Sequence, residues 1–257
     1  MQQARGNRAV GVVLTVSEAK RLIAKGVAAL PAVREHMTDG MMVIAKGSTN
    51  AYVVEELFGK EIDLMSYKSG ALTPAQPDTD PLSGQHEAMN DIVLENGNIR
   101  KDLDRFSAAE HFNPGDVYIK GANALDYANR KAGILIGAPN GGTIGSVIGH
   151  LVGKRAQLLL PVGLEKRVYG DIDMLHRKLQ SPHSETWRLF PVSGTLITEI
   201  EALELLTGVT ATLAAAGGIA GAEGCTALFV EGNTQAVAKA LELVASVQGE
   251  PRVLNRV

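Results

Sequence analysis

The spacing of apolar and polar residues divides the chain into short strands alternating with amphipathic helices. Thr15-Val-Ser-Glu18 has capping-box spacing, and Ala19, Leu22, Ile23, Val27 and Leu30 follow at helical intervals, so a helix begins here. Pro31 bends or divides it before Gly40. Residues 41–45 (Met-Met-Val-Ile-Ala) form an apolar run too short for a helix and read as a buried strand. A loop at 46–50 and a helix over 52–57 come next. The same strand–loop–helix order recurs over 134–152, and again at 157–161 followed by 171–179. Strands and helices alternating at this interval predict a parallel sheet with crossover helices.

Two stretches break the rhythm. Residues 69–88 carry Pro74, Pro77 and Pro81 among small polar residues and predict a long exposed loop. Residues 92–100 place Asn96-Gly97 between apolar flanks, the strongest short hairpin signal. The last quarter reads as a strand at 187–192, a helix at 198–206, strands at 209–215 and 225–230, and a helix at 234–247. That last helix carries its apolar stripe on Val237, Ala240, Leu241, Val244 and Val247. The expectation is an α/β protein with a Rossmann-like, mainly parallel sheet over 1–186 and a smaller α+β, ferredoxin-like subdomain over 187–257.

Composition narrows the classes of function. At 257 residues the chain can bury a sizeable core without disulfides or metal staples. A net charge of −3 without any Lys/Arg run argues against a nucleic-acid surface. Cys225 is the only cysteine, which excludes a disulfide framework and fits a reducing, cytoplasmic setting. The apolar run at 9–14 is too short for a signal peptide. The uncharged stretches 133–153 and 205–222 are broken by glycine and polar residues, and read as buried strand–loop–helix segments rather than membrane spans. The apolar final helix and the Ala-rich segment before it leave room for a homodimer.

The candidate chemistry lies in the loops after strands. Asp116-Val-Tyr-Ile-Lys-Gly-Ala-Asn-Ala-Leu-Asp126 reads as a strand ending in a glycine turn that carries Lys120, Asn123 and Asp126. Open α/β sheets bind ligands at that edge. Lys46-Gly47-Ser48-Thr49 lies between a strand and a helix, and is either an anion cradle of backbone N–H groups and hydroxyls or an ordinary capped turn. Gly141, Gly142 and Thr143 lie in a glycine loop that does not fit the dinucleotide spacing, so no cofactor is expected. Lys46, Lys120 and Lys166 each follow a strand and together can line a cationic pocket; singly, each reads as a solvated rim residue. Asn123 and Asp126 either orient a ligand's hydroxyls or cap the turn. The six histidines have no paired ligand spacing, and no metal is expected.

These motifs resemble the superfamily of ribose-5-phosphate isomerase, glucosamine-6-phosphate deaminase and CoA transferases, with the isomerase nearest. Gly47-Ser-Thr-Asn-Ala-Tyr52 is similar to its phosphate loop, and 116–126 to its Asp-Val-x-Ile-Asp-Gly-Ala-Asp-Glu-Val-Asp segment. Asn140-Gly-Gly-Thr143 is similar to its multi-glycine loop, and Glu165-Lys166 stands where the family has Ser-Lys. The resemblance implies a phosphorylated sugar or related acid, with 46–49 holding the phosphate and Lys120 and Asp126 as the catalytic pair of a divergent enzyme. Two of the family's aspartates are here Lys120 and Asn123, and 145–149 offers no carboxylate. Isomerisation needs a positioned base, so ribose-5-phosphate isomerase activity itself is not expected. A non-catalytic sensor or a CoA-thioester enzyme with the same fold are the alternatives.

Overall fold

The computed structural model describes residues 7–69, 72 and 88–252. The loop expected at 69–88 lies outside them except for Ser69, Leu72 and Ala88.

The protein is a mixed α/β fold built on a six-stranded sheet. Strands β2 (Met41–Ile44), β5 (Val117–Ile119), β8 (Gln157–Pro161) and β10 (Thr195–Ile197) run parallel in the order β10-β8-β5-β2. The hairpin β3 (Ile92–Glu95) and β4 (Asn98–Ile99) extends the sheet antiparallel beyond β2. Its turn holds Asn96 and Gly97 at φ 50° and 76°, the left-handed pair that a two-residue hairpin requires and that Asn-Gly adopts most readily.

Side chains alternate along each strand, so the sheet feeds two cores. Met42 and Ile44 join Val117, Ile119 and Leu159 beneath α1 (Val16–Ala29) and α3 (Ser48–Phe58). Met41 and Val43 join Tyr118, Leu158 and Leu160 in the core that takes Ile144, Val147 and Leu151 of α5 (Gly142–Lys154). Each such side chain contributes roughly 1.5–3 kcal/mol relative to exposure. The capping box forms as expected, with Thr15 and Glu18 each accepting from the other's backbone N–H. Pro31 opens a separate short helix, α2 (Pro31–His36), where its missing N–H costs nothing. A single turn, α4 (Ser107–Glu110), precedes β5.

Two small antiparallel sheets complete the fold. In the first, β1 (Asn7–Leu14) pairs along its whole length with β12 (Cys225–Asn233), which pairs in turn with β11 (Thr210–Gly217). The last helix, α8 (Thr234–Val247), packs Val237, Ala240, Val244 and Val247 into the core that Val12, Leu14, Leu228 and Val230 also enter. In the second, β6 (Ala124–Asp126), β7 (Lys131–Ile136) and β9 (Arg188–Ser193) lie in the order β6-β7-β9. The strand at 131–136 therefore does not enter the parallel sheet as its strand–loop–helix pattern suggests. The short turn at 127–130, with Arg130 at φ 54°, folds it back on β6 instead. Strand pairing also crosses the division expected at 186/187, since β1 joins β12, β7 joins β9 and β8 joins β10. Helix α6 (Ile172–Leu179) packs beside β9, and α7 (Glu199–Thr207) packs on α1. Among the described residues no helix is long and apolar enough to cross a membrane.

Candidate functional site

The four parallel strands end on one edge, where each apolar run gives way to polar residues. β2 leads into Lys46-Gly47-Ser48, β5 into Lys120-Gly121, β8 into Gly163 to Lys166, and β10 into Thr198-Glu199. The Lys120 N–H still donates to the Leu159 carbonyl at 2.9 Å, so its side chain starts where the sheet stops. Its Nζ donates to the Gly121 carbonyl at 3.1 Å. Lys166, on a 3-10 turn at Leu164–Lys166, donates from Nζ to the Ala122 carbonyl at 2.9 Å. Two ammonium groups thus rest on adjacent carbonyls of one turn. Lys20, reaching over from α1, donates from Nζ to Ser48 Oγ at 3.2 Å, at the first residue of α3.

The electrostatics follow from this crowding. Lys120 is only 9% exposed. Burial first, then Lys166 and Arg105, push its pKa down to about 8, against a weaker pull from Asp91. Burial and then Lys166 push Lys20 down to about 8 as well, with Glu165 opposing. Lys166 is therefore the common neighbour of both. None of the three lysines forms an ion pair with a carboxylate among the described residues. Holding the buried Lys120 ammonium without an ion-paired carboxylate among the described residues is costly.

A pocket of about 460 Å³ opens beside Lys120 and brings together four of the residues that the sequence singles out, Lys120, Asn123, Gly142 and Thr143. Trp187 and residues 134–138 form other parts of its wall. Gly142 and Thr143 are the first turn of α5, entered through Gly141, whose φ of 84° suits glycine. Asn123 fastens the pocket's wall, because its Oδ1 accepts the Leu135 N–H at 3.0 Å and its N–H donates to Gly133. On the other side of the cluster, Gly47 donates its N–H to Tyr67 and Thr49 is buried. The backbone of Lys46 is held by Asp91, whose Oδ1 accepts its N–H at 2.8 Å and also pairs with Arg105 at 3.0 Å. Asn50 Nδ2 donates to Ala45 and Ile119, pinning this loop to the ends of β2 and β5.

Asp126 lies elsewhere. The link at 120–123 carries the chain off the main sheet, so Asp126 sits on β6 and lines a separate cavity of about 610 Å³ with Tyr127, Arg167 and Leu213. Its carboxylate accepts from Asn129 N, Asn129 Nδ2 and Ile172 N at 3.1, 2.9 and 3.2 Å. Burial opposes ionisation, but these bonds and Lys131 hold the group below the usual carboxylate range. The arrangement is that of a brace between the β6–β7 turn and the start of α6. Asp126→Ala is expected to cost about 1–3 kcal/mol in chemical denaturation, the usual loss for a bonded buried carboxylate. A variant that unfolds at the same denaturant concentration as the wild type would show that Asp126 is not a brace.

The structure adds residues that the loops alone did not disclose. Lys20 shares a helical face with Ile23, Ala24 and Val27, all fully buried, and a lysine on that stripe was the available signal. Glu199 is 0% exposed. It accepts the Leu164 N–H at 2.9 Å, and burial followed by the neighbouring Glu165 pushes its pKa up to about 8. Glu165 Oε2 is buried and has no hydrogen-bond partner among the described residues. No family model, curated protein or solved structure matches this chain.

Proposed function

We propose that the carboxyl edge of the sheet binds a small anionic metabolite, a phosphorylated sugar or a related acid. The observation that carries this reading is the convergence of Lys20, Lys120 and Lys166, from three separate elements, on one turn and the neighbouring helix start, with no ion-paired carboxylate on any of them among the described residues. Lys20, Ser48 and the first turn of α3 form one anion-binding corner, and Lys120 with the first turn of α5 forms another. Lys166 stands between them. Lys46 adds charge to the rim, Gly47 and Thr49 shape the first corner, and Asn123, Gly141, Gly142 and Thr143 shape the second. The four motifs shared with the sugar-phosphate isomerase superfamily favour a phosphate over a carboxylate as the anionic group.

Inorganic phosphate and a panel of sugar phosphates are expected to raise the melting temperature, with the effect weakening as salt is added. Ser48→Ala and Lys166→Gln are each expected to weaken phosphate binding roughly 10- to 100-fold by calorimetry, the worth of a charge-assisted bond of about 1.5–3 kcal/mol. A melting curve indifferent to every anion would remove the reading.

A further inference from the structure

The second corner holds more than charge. We propose that Lys120 is a nucleophile that forms an imine with a carbonyl-bearing anionic metabolite, so that the ligand's carbonyl carbon sits against Lys120 while its anionic group is held by the lysine–serine corner. The inference rests on the anion-binding reading and adds a covalent step to it.

Three observations support it. Lys120 lines the pocket at a point 9% exposed, where an entering ligand would displace water from the amine. Among the described residues its ammonium donates to the neighbouring Gly121 carbonyl, and no carboxylate pairs with it to fix the charged form. The Lys166 ammonium rests on the next carbonyl, and Arg105 lies on the side of Asp91, so the cationic state is opposed from two elements. A lysine desolvated in a pocket and crowded by another cation is the arrangement that frees an amine near neutral pH. With its pKa at about 8, the free-amine fraction at pH 7.5 is roughly two-hundredfold that of an ordinary lysine.

The step balances without a co-reactant. The lone pair of neutral Nζ attacks the carbonyl carbon, the C=O π pair moves to oxygen, and a proton passes from nitrogen to that oxygen to give a carbinolamine. Gain of one proton from solvent releases the hydroxyl as water and leaves a protonated imine, which draws electrons from the adjacent carbon. Proton exchange or C–C cleavage at that carbon is the chemistry such an adduct opens.

Trapping tests this directly. The protein is incubated with dihydroxyacetone phosphate or with pyruvate in the presence of sodium cyanoborohydride, which delivers hydride to the imine carbon, and the modified lysines are mapped by peptide mass spectrometry. The expected result is a reduced adduct on Lys120 at least tenfold above any exposed lysine, lost in Lys120→Arg and suppressed by excess inorganic phosphate. The phosphate ester or the carboxylate would label more strongly according to which anion the site takes. The melting shift of the wild type with inorganic phosphate is measured in parallel. If phosphate still stabilises the protein while Lys120 is labelled no more than the surface lysines with both compounds, the imine is overturned and anion binding stands. If phosphate has no effect, the underlying reading fails as well.

Discussion

Lys120→Met is expected to make the unliganded protein more stable at pH 7 while weakening its response to phosphate. The folded protein holds Lys120 at a pKa of about 8 against an ordinary value of 10.5, because burial and Lys166 disfavour the charge. For a group depressed in this way, the associated stability is present above pH 10.5 and is lost as pH falls towards 8. At pH 7 the cost of keeping the ammonium is on the order of 3 kcal/mol. Methionine has nearly the same length and volume and carries no charge to desolvate, so the cost disappears with little disturbance to packing. The variant is therefore expected to unfold at higher denaturant at pH 7, and to lose much of the wild type's gain in stability between pH 8 and pH 10.5. Some of that gain remains, because Lys20 titrates over the same interval. A Lys120→Met protein equal to or weaker than wild type at pH 7 would show that the ammonium is not held at a cost. Stability surrendered at a site and recovered when the ligand arrives is the usual sign of a functional arrangement.

The local elements were legible because their signals are local. Thr15 with Glu18, Asn96 with Gly97, and the stripe from Val237 to Val247 each fix structure within a few residues, and each forms as read. β1 was not legible, because only Val12 and Leu14 of its eight residues are buried and its partner lies more than two hundred residues away. The same divide runs through the site. Lys120 and Lys166 could be placed near one another because both follow strands that end on one edge, and parallel sheets gather such ends. Asp126 could not be separated from them by sequence, since only a four-residue link divides β5 from a strand of a different sheet. Lys20 and Glu199 required the packing of helices over that edge, which no nearby motif encodes.

Glu199 carries the second large effect, and its sign is opposite to that of the lysine. Its carboxyl is fully buried at the start of α7, where a helix N-terminus would ordinarily welcome a negative charge. Desolvation and the nearby Glu165 outweigh this, pushing the pKa up from 4.5 to about 8. A group raised on folding contributes stability that is complete below its unfolded pKa and is lost as pH rises through the folded one. The protein is expected to lose on the order of 5 kcal/mol from this group between about pH 4.5 and pH 8. Glu199→Gln reproduces the protonated form. It keeps an acceptor for the Leu164 N–H, and its amide can donate to Thr226 Oγ, which lies 3.4 Å from the carboxyl. The Gln variant is expected to match the wild type near pH 4.5, to exceed it by roughly 3 kcal/mol at pH 7, and to show a much flatter pH profile. Glu199→Ala leaves a buried N–H unpaired and a void behind it, and is expected to be less stable than Gln at every pH by about 2–4 kcal/mol. Denaturation of the three proteins from pH 5 to pH 9 decides the matter. Parallel profiles for wild type and Gln would mean that Glu199 is ionised in the folded state throughout. Taken with Lys120 and Lys20, these signs place a minimum in the unliganded protein's stability near pH 8, where the carboxyl has begun to charge and the amines have not finished discharging. A bound anion compensates the amines and leaves Glu199 uncharged below that pH, so phosphate is expected to stabilise the protein most on the acid side of the minimum.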